Sequence, residues 1–156
     1  MGVMNFDTYK LIVDQAFGNI EFLSLASRGE PLVAKDFGKM MEYSVGKFLN
    51  LKINTNASLL NEKRCHAILT GAIKTVVFSA DAAEEPLYSK LRVGGKLEKV
   101  LKNIEMFKNI KEKQYPNIKI LTRVSGVYVD ENQSIDKMNE VWGDLVDQIS
   151  FVKYNP

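Results

Sequence analysis

Five polar segments hold the side chains through which this chain could do chemistry: Ser27-Arg28-Gly29-Glu30-Pro31, Asn54-Thr55-Asn56, Ser79-Ala80-Asp81, Arg123-Val124-Ser125-Gly126 and Tyr154-Asn155-Pro156. Each follows an apolar run. Together they offer amide, hydroxyl, carboxylate and guanidinium groups, a set that suits a small polar ligand carrying amino, carboxylate and hydroxyl groups. Taken singly, Asn, Ser, Asp and Gly after a strand are ordinary turn and cap residues. Arg28-Gly29-Glu30-Pro31 says more. A glycine where an apolar strand ends lets a ligand approach the backbone, and the adjacent carboxylate can accept from an ammonium group.

The rarest residues narrow the chemistry further. One Cys (Cys65) and one His (His66) occur in 156 residues. A single Cys excludes an internal disulfide, a Cys-rich zinc site and an iron–sulfur cluster ligated by this chain alone. A single His removes most hydrolytic triads and the paired-His metal motifs. Cys65 shares an apolar helix face with Ile68 and Leu69 and reads as a packing residue. His66 falls on the neighbouring, exposed side, and the Met residues sit at helical spacing as core filling. Lys108, Lys111, Lys113 and Lys119 read as a solvated helix end, and Gly94-Gly95 lacks the spacing of a phosphate loop. The net charge of +2 sets up no strong field for nucleic acid or anionic lipid. No apolar run reaches the roughly 20 residues of a spanning helix. The segment Met1 to Asp7 has neither a basic-then-apolar signal nor a myristoylation pattern, so a cytoplasmic setting is expected.

The elements that must position these groups alternate. Asp7 and Gly18 bracket a first helix with Tyr9, Ile12, Val13, Ala16 and Phe17 on one side, and a strand follows over 20–27. Asp36 caps a second helix with the stripe Phe37, Met40, Met41, Val45 and Phe48, leading to a strand over 51–56. Asn61 and Gly71 bracket a third helix, and a strand over 74–79 comes next. Residues 82–117 contain a short turn at Pro86, the Gly94-Gly95 break and a long helix with Leu97, Val100, Leu101, Ile104 and Phe107 inward. A strand over 118–128, a helix capped near Ser134 and a last strand over 148–153 complete the chain. Strands joined through helices pair in parallel. The fold class is therefore α/β, one domain over 1–156: a doubly wound sheet or part of a (β/α) barrel, about five-eighths of the full eight units. In either, ligands bind outside the carboxyl ends of the strands, where the polar segments lie.

In order and spacing, Ser27-Arg28-Gly29-Glu30-Pro31-Leu32, Asn54-Thr55-Asn56-Ala57, Phe78-Ser79-Ala80-Asp81, Tyr88 to Gly95 and Ser150 to Pro156 resemble the radical S-adenosylmethionine superfamily. The likeness is to members with a SPASM-type auxiliary-cluster domain, and it covers nearly the whole chain. It implies a partial, TIM-like (β/α) barrel of about five parallel strands with outer helices. It also implies an oxidoreductase or maturase chemistry: a [4Fe–4S] cluster on a Cys-x3-Cys-x2-Cys loop, with S-adenosylmethionine cleaved to a 5′-deoxyadenosyl radical that abstracts hydrogen. The family's Gly-Gly-Glu-Pro motif, which contacts the methionine amino group, maps onto Gly29, Glu30 and Pro31, with Arg28 in place of the first glycine. Asn56, Ser79 and Asp81 match positions lining the cofactor's ribose and carboxylate, and Arg123 is a further carboxylate candidate.

The three cluster cysteines have no counterpart here, so the resemblance places the cluster ligands outside this chain and implies an inactive barrel interior. The alternative is a non-enzymatic, cluster-less domain that binds S-adenosylmethionine or a partner. An unrelated α/β enzyme is disfavoured because the chain has no phosphate loop or triad. The expected ligand is S-adenosylmethionine, with a peptide or small metabolite as substrate and no nucleic acid or membrane partner. Unpaired edges near Phe22 and Phe151 would favour self-association.

Overall fold

The computed structural model describes residues 2–25 and 29–153. Ser27, Arg28 and the segment Tyr154-Asn155-Pro156 lie outside the described residues. Helix α1 (Phe6–Ala16) is capped by Asn5 rather than Asp7. Asn5 is extended and its Oδ1 accepts from Thr8 N at 2.8 Å, whereas Asp7 already lies in the first turn, near the positive end of the helix dipole. Gly18, with φ +81, takes the left-handed position that ends the helix. Strand β1 (Phe22–Leu25) is followed by a 3-10 turn over Pro31–Val33 and helix α2 (Phe37–Tyr43). Asp36 precedes α2 but its side chain makes no cap bond, because its backbone (φ −93, ψ 20) is not in the extended conformation that aims a carboxylate at the first turn.

Strand β2 (Asn50–Thr55), helix α3 (Glu62–Thr70) and strand β3 (Ile73–Ser79) run as expected, with Asn61 Oδ1 accepting from Arg64 N. Pro86 starts a helix instead of forming a turn: α4 spans Glu85–Leu91. Proline is tolerated in a first turn, where its missing N–H has no intrahelical partner to lose. Helix α5 (Leu97–Gln114), strand β4 (Leu121–Tyr128), helix α6 (Ile135–Trp142, capped by Ser134) and strand β5 (Gln148–Lys153) follow.

All four strand pairings are parallel and the sheet order is β1-β2-β3-β4-β5. A doubly wound sheet reverses its strand order at a switch point; this one never does, which decides for a barrel segment. Right-handed crossovers then put the helices on one face of the sheet. Onto that face β2, β3 and β4 send Leu51, Ile53, Val76, Phe78 and Val124, all buried against Leu32, Met41, Ile68, Ile104, Met138 and Trp142. Phe78 meets Phe107 edge to face at 5.8 Å. Burial alternates residue by residue in β2: Leu51, Ile53 and Thr55 are buried, whereas Asn50, Lys52 and Asn54 are half-exposed on the other side. Parallel strands covered on both faces read as continuous apolar runs. These do not.

Candidate functional site

Glu30 is the hub of the carboxyl-end rim. Its Oε1 accepts from Thr55 Oγ1 at 2.7 Å and from Leu32 N at 3.0 Å, and its Oε2 accepts from Asn56 N at 2.8 Å. The Thr55 hydroxyl in turn accepts from Ala57 N at 3.0 Å, so a chain of donors runs from the β2 loop into the carboxylate. The sequence suggests a free carboxylate at this position; the folded chain spends three donors holding it. A carboxylate has about four acceptor positions. Oε2, with one donor, keeps an acceptor position open.

The loop after β2 is shaped for this contact. Asn56 Oδ1 accepts from Ser58 N at 2.9 Å, an Asx turn, and Ala57 takes a left-handed φ of +57. Asn103 of α5 donates to Ala57 O at 2.8 Å and pins the strained residue.

Gly29, Glu30, Asn54, Thr55, Asn56, Ser79 and Arg92 line a cleft of about 350 Å³ at this rim. Four residues singled out in the sequence therefore converge: Gly29, Glu30, Asn56 and Ser79. A Cβ added at Gly29 would meet nothing within 4 Å, so the backbone there is accessible from the cleft. Pro31 starts the 3-10 turn behind Glu30 and fixes how the carboxylate leaves the backbone.

Asp81 stands one layer back. Its Oδ1 accepts from Val127 N at 2.8 Å and its Oδ2 pairs with Arg92 Nε at 2.5 Å. Buried Gln133 braces the same corner, donating to Asp81 O at 2.7 Å and Val127 O at 2.8 Å while accepting from Val129 N and Asp130 N. Arg123 lies apart from the cleft. It is level with Val77 in the sheet, and its guanidinium donates from Nε and Nη2 to Gln148 Oε1 at 3.0 and 2.6 Å.

The sequence reading gives Arg92 no site role and has Asn54 only within the rim segment Asn54-Thr55-Asn56. A signal for Arg92 existed: a buried aspartate needs a cation, and α4 brings one to Asp81. Asn54 Oδ1 is buried and has no hydrogen-bond partner among the described residues. It is an acceptor in the cleft wall without a donor.

The remaining candidates are structural. Burial pushes the Cys65 thiol up to about 12, so it is neither nucleophile nor metal ligand at neutral pH. His66 is half-buried rather than exposed, its Nδ1 2.8 Å from Tyr115 Oη between α3 and the end of α5. Lys108 donates to Asp144 O at 2.6 Å and Lys111 sits 3.7 Å from Asp147, beside a hollow of about 230 Å³ next to Thr122 near the start of β4. No group of three or more His, Cys, Asp or Glu among the described residues could hold a metal ion. No helix among them is long and apolar enough to cross a membrane.

No protein-family model matches the chain. GTP 3′,8-cyclase of Clostridium botulinum is 30% identical over 113 residues, covering 70% of this chain and 35% of the cyclase. Streptococcus suis SuiB bound to S-adenosylmethionine superposes with a TM-score of 0.78 at 20% identity, over 100% of this chain and 35% of SuiB. A TYW1 structure with a lysine-pyruvate adduct superposes with a TM-score of 0.63 at 18% identity, over 96% of this chain and 52% of that one. The chain thus spans about a third of the length of the cyclase and of SuiB. The strand order without reversal agrees with the likeness to SuiB and to the cyclase, both radical S-adenosylmethionine proteins, and together they support a fragment of a radical S-adenosylmethionine superfamily barrel.

Proposed function

We propose that residues 1–156 form the S-adenosylmethionine-binding part of a radical S-adenosylmethionine oxidoreductase, one incomplete barrel unit working in the cytoplasm. The observation that carries this reading is the Glu30 clamp: a carboxylate fixed by three donors, with an acceptor position left on Oε2. The cleft's residues fit the zwitterionic methionine end of the cofactor. Glu30 and the unpartnered Asn54 Oδ1 accept from the ammonium group, and Arg92 takes the carboxylate. Asp81 positions Arg92 rather than touching the ligand, since both of its oxygens are engaged. Ser79 and the Asn56 amide face the ribose hydroxyls, and Gly29 admits the ligand to the backbone.

With a [4Fe–4S] cluster supplied from elsewhere, bound S-adenosylmethionine would provide hydrogen-abstracting radical chemistry, for which we propose a peptide or small metabolite as substrate. The chain's own residues do not fit the cluster. One cysteine, buried and protonated, cannot replace three thiolates, so the ligands must come from outside these residues and the chain alone is inactive. The same observation favours a second reading, a cluster-less domain that binds S-adenosylmethionine without redox chemistry. Calorimetry with S-adenosylmethionine tests the shared core of both. Glu30→Ala is expected to weaken binding about tenfold or more, the worth of a charge-assisted hydrogen bond. Equal binding by variant and parent removes Glu30 from the site.

A further inference from the structure

The five strands among the described residues contain no Asp or Glu, yet they carry cations, two of which, Lys52 and Arg123, stand on the sheet face turned away from the helices. Neither is in an ion pair with any described residue. Lys52 makes no hydrogen bond there, and Arg123 is held by the neutral amide oxygen of Gln148, which aligns the guanidinium without cancelling its charge. Both are half-buried. Partly desolvated cations without a counter-charge are costly unless an anion joins them.

The register places them to act together. Lys52 pairs with Thr75 and Arg123 pairs with Val77, so the two lie two strands apart and two residues out of step. Strand spacing and rise put their Cα atoms about 12 Å apart on one face. Long side chains from both can close on a single group between them. Asn54, one pleat above Lys52, belongs to the rim cleft, so such a group would lie directly beneath that cleft.

We infer that Lys52 and Arg123 together hold a dianionic oxyanion, a phosphate monoester or a paired carboxylate, and that this group is part of the substrate. That it is a substrate group rests on reading the Glu30 cleft as the cofactor site; the anion site itself does not. Two cations match a charge near −2, which a phosphoryl group carries at neutral pH.

The test is calorimetry of the 156-residue chain at low ionic strength with inorganic phosphate and with succinate as probes. One saturable site is expected, weakened about tenfold in Lys52→Gln and in Arg123→Gln, and recovered in Lys52→Arg. Tighter phosphate identifies a phosphoryl substrate and tighter succinate a dicarboxylate; both outcomes support the site. No saturable binding of either probe, or unchanged affinity in both variants, overturns it. Parallel titrations with S-adenosylmethionine keep the two readings apart. Glu30→Ala should weaken cofactor binding about tenfold or more and spare phosphate, whereas Lys52→Gln should weaken phosphate about tenfold and spare the cofactor.

Discussion

On the helix-covered face of the sheet, the buried hydroxyls of Thr55 and Thr122 are bonded: Thr55 to Glu30 and Ala57 N, Thr122 to Asp147. On the opposite face, Lys52 and Asn54 Oδ1 have no partner among the described residues, and Arg123 has only a neutral one. The two faces share a backbone and alternate residue by residue, so the difference is not one of local structure. A core must satisfy its polar atoms internally, because no water reaches them. A face whose polar atoms stay unsatisfied is organised around something that arrives later. Apart from Thr55, which holds Glu30 at the rim cleft, stability should therefore depend on the first face and binding on the second.

Truncation of a core side chain is the largest way to break that division. Trp142 is fully buried under the sheet and its Nε1 donates to Ala82 O at 3.3 Å. Trp142→Ala should cost about 3–5 kcal/mol in urea denaturation, whereas Lys52→Gln should stay within about 0.5 kcal/mol. Comparable losses would mean that the face bearing Lys52 is packed too, and the contrast would fail. A medium effect is expected where the two halves of the β4–β5 ladder meet. A Cβ on Gly126 would come 2.6 Å from Ala80 O and 2.7 Å from the Phe151 ring. Gly126→Ala should destabilise by about 1–3 kcal/mol by overpacking. Phe151 is thereby committed to an internal contact, which leaves Phe22, 64% exposed on β1, as the stronger candidate for edge association.

Much of this arrangement is readable in the sequence, and the unread parts share a cause. The polar–apolar alternation Asn50-Leu51-Lys52-Ile53-Asn54-Thr55 announces a strand with two unlike faces, and the helix stripes announce the layer that covers one of them. Ordered polar segments at strand ends locate the rim. What remains hidden is which polar groups become bonded to each other. Glu30 looks available until the β2 loop folds back and donates to it, and Arg92 looks like a helix end until α4 carries it to Asp81. Asn5 and Asp7 are equally good caps by type, and only the backbone at residue 5 separates them. The bonds of Glu30 with Thr55 and of Asp81 with Val127 join residues 25 or more positions apart, and no local pattern encodes them.

The smallest effect tests whether a polar group bonded on the covered face away from the rim serves the fold alone. Burial pushes the Asp147 carboxyl up, but bonds from Thr122 N at 2.7 Å and Thr122 Oγ1 at 2.8 Å, together with Lys111, outweigh it and hold the group below its usual 3.8. A folded-state value below the unfolded one means that the unfolded chain binds the proton first as pH falls. The contribution is complete above pH 3.8 and is lost as pH falls through the depressed value. Because the side chain is 46% exposed, solvent screening limits it to under about 1 kcal/mol. Asp147→Asn should flatten that part of the stability–pH curve while leaving S-adenosylmethionine and phosphate affinities unchanged. If ligand affinity instead shifts with Asp147, the amino-end ladder between β4 and β5 is coupled to the rim, and the two faces are not independent.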